Sequence, residues 1–293
     1  MVQPAAVRYD VPALVAGLVT VTLWGSAFVG IRAAGAVLSP GSIALGRLLV
    51  SSAILTTVAL ARRERLPQPR DLVSISAYGV LWLGVYSVTL NAAERLVDAG
   101  TAALLVNTGP IIVALLAGIF LREGFPPGLF AGLVVAFAGC VMIALATAQA
   151  GTQSVLGIVL CIVAAVAYSV AIVVQKPVLA RVPSFQVTWL GCAAATIATL
   201  PFAPTLVGEV IRAGAGALVW TVYLGIFPTA VGFATWSFAL GRTSAGRMAS
   251  ITYLAPVVAI LLSWALLREV SPWLGLAGGG LCLAGVYIAR RGA

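Results

Sequence analysis

Three aromatic residues spaced four apart, Tyr78, Trp82 and Tyr86, are followed by Thr89. At 100° per residue these four side chains fall within about 80° of one helix face. Such a stripe can bind: its ring faces stack on apolar or aromatic groups and attract an amino group by cation–π contact. Rings that fill a core or form an interfacial belt would give the same stripe. Covalent chemistry has no comparable candidates. The chain contains no His, and its eight acids (Asp10, Glu64, Asp71, Glu94, Asp98, Glu123, Glu209, Glu269) fall in loops or at the ends of apolar runs. No Ser has a plausible base. The chain is therefore read as not an enzyme, with no cofactor, no metal and no catalytic residue.

Other residues extend the binding candidates. Trp24 and Arg32 match Tyr168 and Lys176 at an offset of 144 residues, and Ser26 sits near Trp24. Gly225, Thr229, Gly232 and Trp236 share a face, with Pro228 beside them to bend the helix. Asn107 and Tyr253 each lie one turn before a proline, Pro110 and Pro256. An amide at depth needs partners, so Asn107 is either helix-packing glue or a substrate contact. Arg47 is the charge placed well inside an apolar run. It snorkels to the headgroups, pairs with helix carbonyls, or lines a substrate path. The candidate binding set is thus Trp24, Tyr78, Trp82, Tyr86, Asn107, Tyr168, Trp236 and Tyr253. Pro110, Pro228 and Pro256 are expected helix kinks. Arg47, Arg122, Glu123, Arg268 and Glu269 are possible gate or structural charges.

The elements that carry these residues are set by composition. Of 293 residues, 61% are hydrophobic and 9% charged. A soluble domain carries roughly 25% charged residues, so this is an integral membrane chain. Apolar runs that can cross ~30 Å of hydrocarbon are expected at 12–31, 41–61, 72–92, 99–121, 127–147, 155–175, 186–206, 217–240, 247–267 and 272–289. The first could be a signal peptide, since AAGA follows it at 33–36, but its apolar core is too long. Cys140, Cys161, Cys192 and Cys282 lie in apolar runs without paired spacing and read as small core residues.

Positive charge sets direction. With the N-terminus inside, inner segments hold Arg8, Arg62, Arg63, Arg65, Arg70, Arg122, Lys176, Arg181, Arg242, Arg247, Arg290 and Arg291. Outer loops then hold Arg32, Arg95, Arg212 and Arg268. Both termini are expected to be cytoplasmic, in a bacterial-type inner membrane. The topology explains the net charge of +9 better than a nucleic-acid partner would.

The chain also repeats itself. Residues 99–144 align without a gap to 245–290, keeping Pro110/Pro256, Arg122-Glu123/Arg268-Glu269, Pro126/Pro272, Gly132/Gly278 and Gly139/Gly285 in register. Two five-helix units are expected, 1–148 and 149–293, joined by the polar stretch TAQAGTQS. Five is odd, so the second unit enters the membrane inverted. Each proline lies about 18 Å from its helix end, near the midplane. The four glycines should let the fifth and tenth spans pack closely, on each other or across a dimer.

Four stretches now resemble one family: LWGSAFVGIR at 23–32, ALGRLLVSSAIL at 44–55, the run 107–143, and its echo at 253–288. They are similar to the EamA family of the drug/metabolite transporter superfamily, and in particular to its aromatic amino-acid exporter branch. The resemblance covers nearly the whole chain and implies ten transmembrane helices in two inverted five-helix repeats. One departure is that the seventh span has no counterpart to Arg47. The expected function is export of small amphipathic metabolites, aromatic or neutral amino acids first, by alternating access. A broad-specificity drug or metabolite exporter is the alternative, and a membrane scaffold a distant third. With no acid or His inside a span, proton coupling is not expected, while a Na⁺ site built from carbonyls freed at Pro110 or Pro256 stays open. Expected partners are the small-molecule substrate and the lipid bilayer, with no nucleic acid, the chain acting as a monomer or weak homodimer.

Overall fold

The computed structural model describes residues 10–97, 102, 105–147, 154–213, 215–258, 261 and 273–291. Among these every regular element is helical and there is no strand. Asp10 caps α1 (Val11–Gly35), its carboxylate accepting from the Ala13 amide at 3.0 Å. Proline opens α2 (Pro40–Ala61), α3 (Pro69–Ala93) and α5 (Pro127–Thr147), where its missing N–H leaves no bond unmade. Between the last two lies α4 (Gly109–Phe120). Next come α6 (Val155–Val178) and α7 (Ser184–Thr199). Pro201 then sits in a 3₁₀ turn, Leu200–Phe202, after which the chain is helical again over Ala203–Ala213. The seventh run therefore extends past its expected end at 206. Three consecutive segments, Ala215–Leu224, Gly225–Val231 and Gly232–Arg242, make up α8. A short helix, α9 (Ala245–Ser250), passes into a 3₁₀ turn, Ile251–Leu254. The last helix is α10 (Trp273–Arg291).

Among the described residues, seven runs are long and apolar enough to cross a membrane: α2, α3, α6, Pro127–Leu145, Ser184–Ala213, Leu218–Arg242 and Trp273–Arg290. Val11–Ala27 and α4 add shorter apolar runs. The end of the expected ninth span, and Arg268 and Glu269 after it, lie outside the described residues.

Two local departures from α-helix position the site. The first is a π-helical stretch within α3, Gly79–Tyr86, matched by one within α8, Gly225–Val231. Their first residues are 146 apart, the offset of the repeat. In α8 the cause is visible: Pro228 lacks an N–H, and the Thr229 hydroxyl donates to the Leu224 carbonyl five residues back, at 2.7 Å. Both leading glycines sit where a side chain would collide. Gly79 lies against the backbone of Gly191, and Gly225 against Val50 and the Arg47 carbonyl.

The second departure replaces an expected kink. Residues 105–106 are helical, Asn107 and Thr108 form a turn, and Pro110 starts a new helix rather than bending an old one. The 3₁₀ turn Ile251–Leu254 falls at the matching place, just before Pro256. Pro228, by contrast, stays inside its helix.

Between α5 and α10 the backbones touch. Gly132 lies against Gly285 and Ala289, and Gly139 against Gly278 and Cys282. A shift of 146 turns the pair 132·285 into 278·139, so the contact maps onto itself. Cys282 Sγ lies 3.5 Å from the Ala136 carbonyl, again an offset of 146, which places the local two-fold near these residues. Small residues are what such an approach requires. All four cysteines are buried and free.

Candidate functional site

Where the two halves face each other, aromatic rings meet in tilted, stacked and edge-to-face pairs. Trp24 of α1 lies 5.1 Å from Phe233 and 5.3 Å from Trp236 of α8. Trp82 of α3 lies 5.1 Å from both of those rings and stacks on Tyr168 of α6 at 5.9 Å. Tyr86 meets Tyr168 at 5.4 Å. Within the first half, Trp82 touches Trp24 and Tyr78. Six of the eight candidate residues, Trp24, Tyr78, Trp82, Tyr86, Tyr168 and Trp236, thus belong to one cluster. Phe233, one turn before Trp236, is a member that the sequence reading passed over. Thr89 is not, since its hydroxyl bonds to the Val85 and Tyr86 carbonyls of its own helix.

Asn107 and Tyr253 form a separate pair beside the cluster. Tyr253 is fully buried, and its hydroxyl donates to the Asn107 carbonyl at 2.9 Å. The break before α4 frees carbonyls, and hydroxyls take them up. Tyr168 donates to Val106 O at 3.4 Å and Thr108 to Leu105 O at 2.6 Å, while Ser169, bonded to Ala165 O at 2.6 Å, also lies 3.2 Å from Gly109 O. An irregular backbone at membrane depth is tolerable on these terms. Gly109 is pressed against the Tyr168 ring, so no side chain fits there.

The π stretch of α8 faces α1 and α2. Trp24 Nε1 donates to the Pro228 carbonyl at 3.1 Å, and Arg47 Nε donates to Thr229 Oγ1 at 2.7 Å. Gly232 lies under the Trp24 indole. Ser26 bonds the Tyr223 hydroxyl at 2.6 Å.

Below the rings is a buried polar network that the sequence reading did not anticipate. Gln175 Nε2 donates to Ser237 Oγ at 2.9 Å, and Trp236 Nε1 donates to Gln175 Oε1 at 3.2 Å. Thr188 and Ser237 share a bond at 2.9 Å. Tyr78 lies beside Gln175 and Ser237, and among the described residues its buried hydroxyl makes no hydrogen bond of ordinary length. The positions matching Gln175 at the offset of 144 and Tyr78 at the offset of 146 are Ile31 and Leu224, which pack in an apolar cluster. Gln175 sits beside Lys176 at a span end, where a polar residue is unremarked.

Charges fasten the halves at the end where α4 finishes. Arg122 is exposed and left-handed (φ 55°), and it turns the chain so that Glu123 faces α9. The Glu123 carboxylate accepts from the amides of Ala245 at 2.8 Å and Gly246 at 3.3 Å, capping a helix of the other half. Lys176 Nζ donates to the Leu240 and Thr243 carbonyls at 2.7 Å, closing the C-terminus of α8. Arg181 pairs with buried Asp71 at 2.6 Å, and Arg242 with Asp10 at 3.5 Å. A cavity of about 290 Å³ at this end is lined by Ala114, Glu123, Leu129, Ser244 and Arg247 among others. One of about 240 Å³ at the opposite end touches Val37, Glu209 and Arg212. Neither is lined by a cluster ring.

A helical membrane chain with a duplicated seam and matched helix breaks has a counterpart among known proteins. It matches the EamA-like transporter family twice, over residues 11–145 and 155–291. The chain belongs to the EamA-like transporter family. A relative from Streptantibioticus cattleyicolor named a probable terminal-alkyne amino-acid exporter is 37% identical, over 94% of this chain and 92% of that one. Another, from Salmonella typhimurium, is named a probable amino-acid metabolite efflux pump and is 26% identical, over 92% of each chain. A solved crystal structure aligns with a TM-score of 0.81 at 22% identity, over 96% of this chain and 99% of that one, which supports the fold alone. This EamA chain is a multi-pass membrane transporter and not an enzyme.

Proposed function

We propose that this EamA transporter exports small amphipathic metabolites, aromatic and neutral amino acids foremost, across a bacterial-type inner membrane. The observation that carries the reading is the aromatic cluster. Its rings come from both halves and meet at the half-to-half boundary, so parting the halves opens a ring-lined space for an apolar side chain and an amino group. The names of two relatives, an amino-acid exporter and an amino-acid metabolite efflux pump, point the same way.

The working architecture is ten membrane-crossing helices in two inverted repeats, 1–148 and 149–293, with both termini cytoplasmic. The matched π stretches, matched helix breaks and two-fold seam support it. Alternating access is then a rocking of one repeat against the other about the α5–α10 seam, with substrate favouring whichever state it fits best. The reading is movement down the substrate's own gradient, and Glu94, whose charge acts on the cluster ring Tyr86, is the first residue to examine if coupling is found. The test is a screen of the twenty amino acids for exchange in proteoliposomes of the purified chain. Preferred exchange of phenylalanine, tyrosine, tryptophan or leucine is expected. Accumulation driven by a pH or sodium gradient alone would refute uncoupled transport. A broad-specificity exporter is the second reading, favoured by the small number of directional polar groups among the rings. It predicts no ranking among amino acids and exchange of unrelated aromatic cations.

A further inference from the structure

We infer that Arg47 is the residue that reads a substrate carboxylate, which restricts the cargo to carboxylate-bearing compounds with an apolar side chain. The inference rests on the export reading above.

A guanidinium has five N–H donors in a planar fork. The Arg47 Nε–H goes to Thr229, whose own proton is spent on the Leu224 carbonyl, so its oxygen is free to accept. Among the described residues Arg47 makes no ion pair. Its titratable neighbours are Tyr86, a ring of the cluster, and Cys192. An arginine in a membrane interior without a counter-anion is costly, and such residues mark pathways for charged groups.

Two further observations aim the charge at the cluster. Thr229, which holds Arg47, directly follows Pro228, whose carbonyl holds the Trp24 indole. The guanidinium and a cluster ring are therefore fixed by adjacent residues of one π stretch. At the repeat offsets of 144 and 146 the second half has Gly191 and Ala193 in place of Arg47, so no symmetric packing role accounts for the charge. An α-amino acid carries its carboxylate and side chain on one carbon, so a single molecule reaches both. The fork matches a carboxylate with two parallel bonds, and Thr229 supplies the resting partner when the site is empty.

The experiment is counterflow of radiolabelled phenylalanine in proteoliposomes, with phenylalanine, phenylalaninamide and phenethylamine as competitors. Wild type is expected to prefer phenylalanine over both carboxylate-free analogues by about ten-fold, the worth of one charge-assisted contact. Arg47→Gln should remove that preference by weakening phenylalanine alone, and Arg47→Lys should keep part of it. The wild-type comparison needs no variant, so misfolding of Arg47→Gln does not blunt the test. Equal competition by all three overturns the inference and leaves export standing. Equal competition combined with loss of Arg47→Gln stability only in phosphatidylglycerol liposomes assigns the guanidinium to a lipid phosphate instead. Failure of wild type to exchange any of the twenty amino acids overturns both readings.

Discussion

Glu123 reaches from the first half to the start of α9 in the second, and removing that reach should open the end of the molecule where it sits. Two backbone amides converge on the carboxylate, one at 2.8 Å and a weaker one at 3.3 Å. Hydrogen bonds to a charged group contribute about 1.5–3 kcal/mol each when well formed. Glu123 is only half-buried, and solvent screening brings the pair to about 2 kcal/mol. Glu123→Gln keeps a carbonyl that accepts the shorter bond and loses the charge, for a cost of about 1 kcal/mol, or roughly five-fold in an open-to-closed equilibrium. Glu123→Ala leaves both amides without the carboxylate and costs about 2 kcal/mol, or roughly thirty-fold. Leu129 lines the cavity beside Glu123 and is 5% exposed. With the native cysteines replaced by alanine, Leu129→Cys reports opening through its maleimide labelling rate in inside-out vesicles. The rate should rise about five-fold for Gln and up to about thirty-fold for Ala. Unchanged labelling in folded Glu123→Ala protein would refute the idea that this cap holds the halves together.

Tyr78→Phe removes a buried hydroxyl that makes no hydrogen bond of ordinary length among the described residues. It should leave Tm unchanged or raise it by about 2–4 °C, and a fall would reveal a bond that the structure lacks. Gly132→Ala drives a methyl into the α10 backbone and should cost about 1–3 kcal/mol in thermal unfolding. Gly280→Ala, where an added carbon meets nothing within 4 Å, should be neutral. Arg181→Ala leaves the buried Asp71 carboxylate, 4% exposed, without its cation. It should cost more than Asp71→Asn, by about 1–2 kcal/mol, since the arginine is itself partly wet. A cysteine at Leu66 should label from the cytoplasmic side and one at Thr152 from the outside, and reversed labelling would invert the topology.

The helices and the seam were legible because they rest on composition and repeat. Four glycines seven apart, in register at 146, can mean little else than close backbone contact. The ring stripe was legible because it survives an error of a few residues in helix bounds. What escaped has physical reasons. A π stretch uses the same apolar residue types as the α-helix around it and shifts the phase only after its own wider turn, so no hydropathy pattern marks it. The pairing of Gly79 with Gly225 at the repeat offset was the available signal. Pro110 marks a disturbance, but bend and break differ by whether hydroxyls on other helices take up the freed carbonyls, and that is a tertiary fact. Glu123 read as a span-end charge because its partners are backbone amides 122 residues away, invisible in side-chain identity.

The seam has a historical consequence. A contact in which 132 meets 285 while 139 meets 278 is the contact that two copies of one half-length chain would make with each other. A single five-helix chain inserting in both directions could have closed it before any duplication joined the copies. Joining them ended the requirement that both faces carry the same residue. Arg47, with Gly191 or Ala193 at the repeat offsets, and Gln175 opposite Ile31, are differences that a pair of identical chains could not hold. In this view the seam preserves the ancestral assembly, and what is particular to this transporter is written where the halves have stopped being copies.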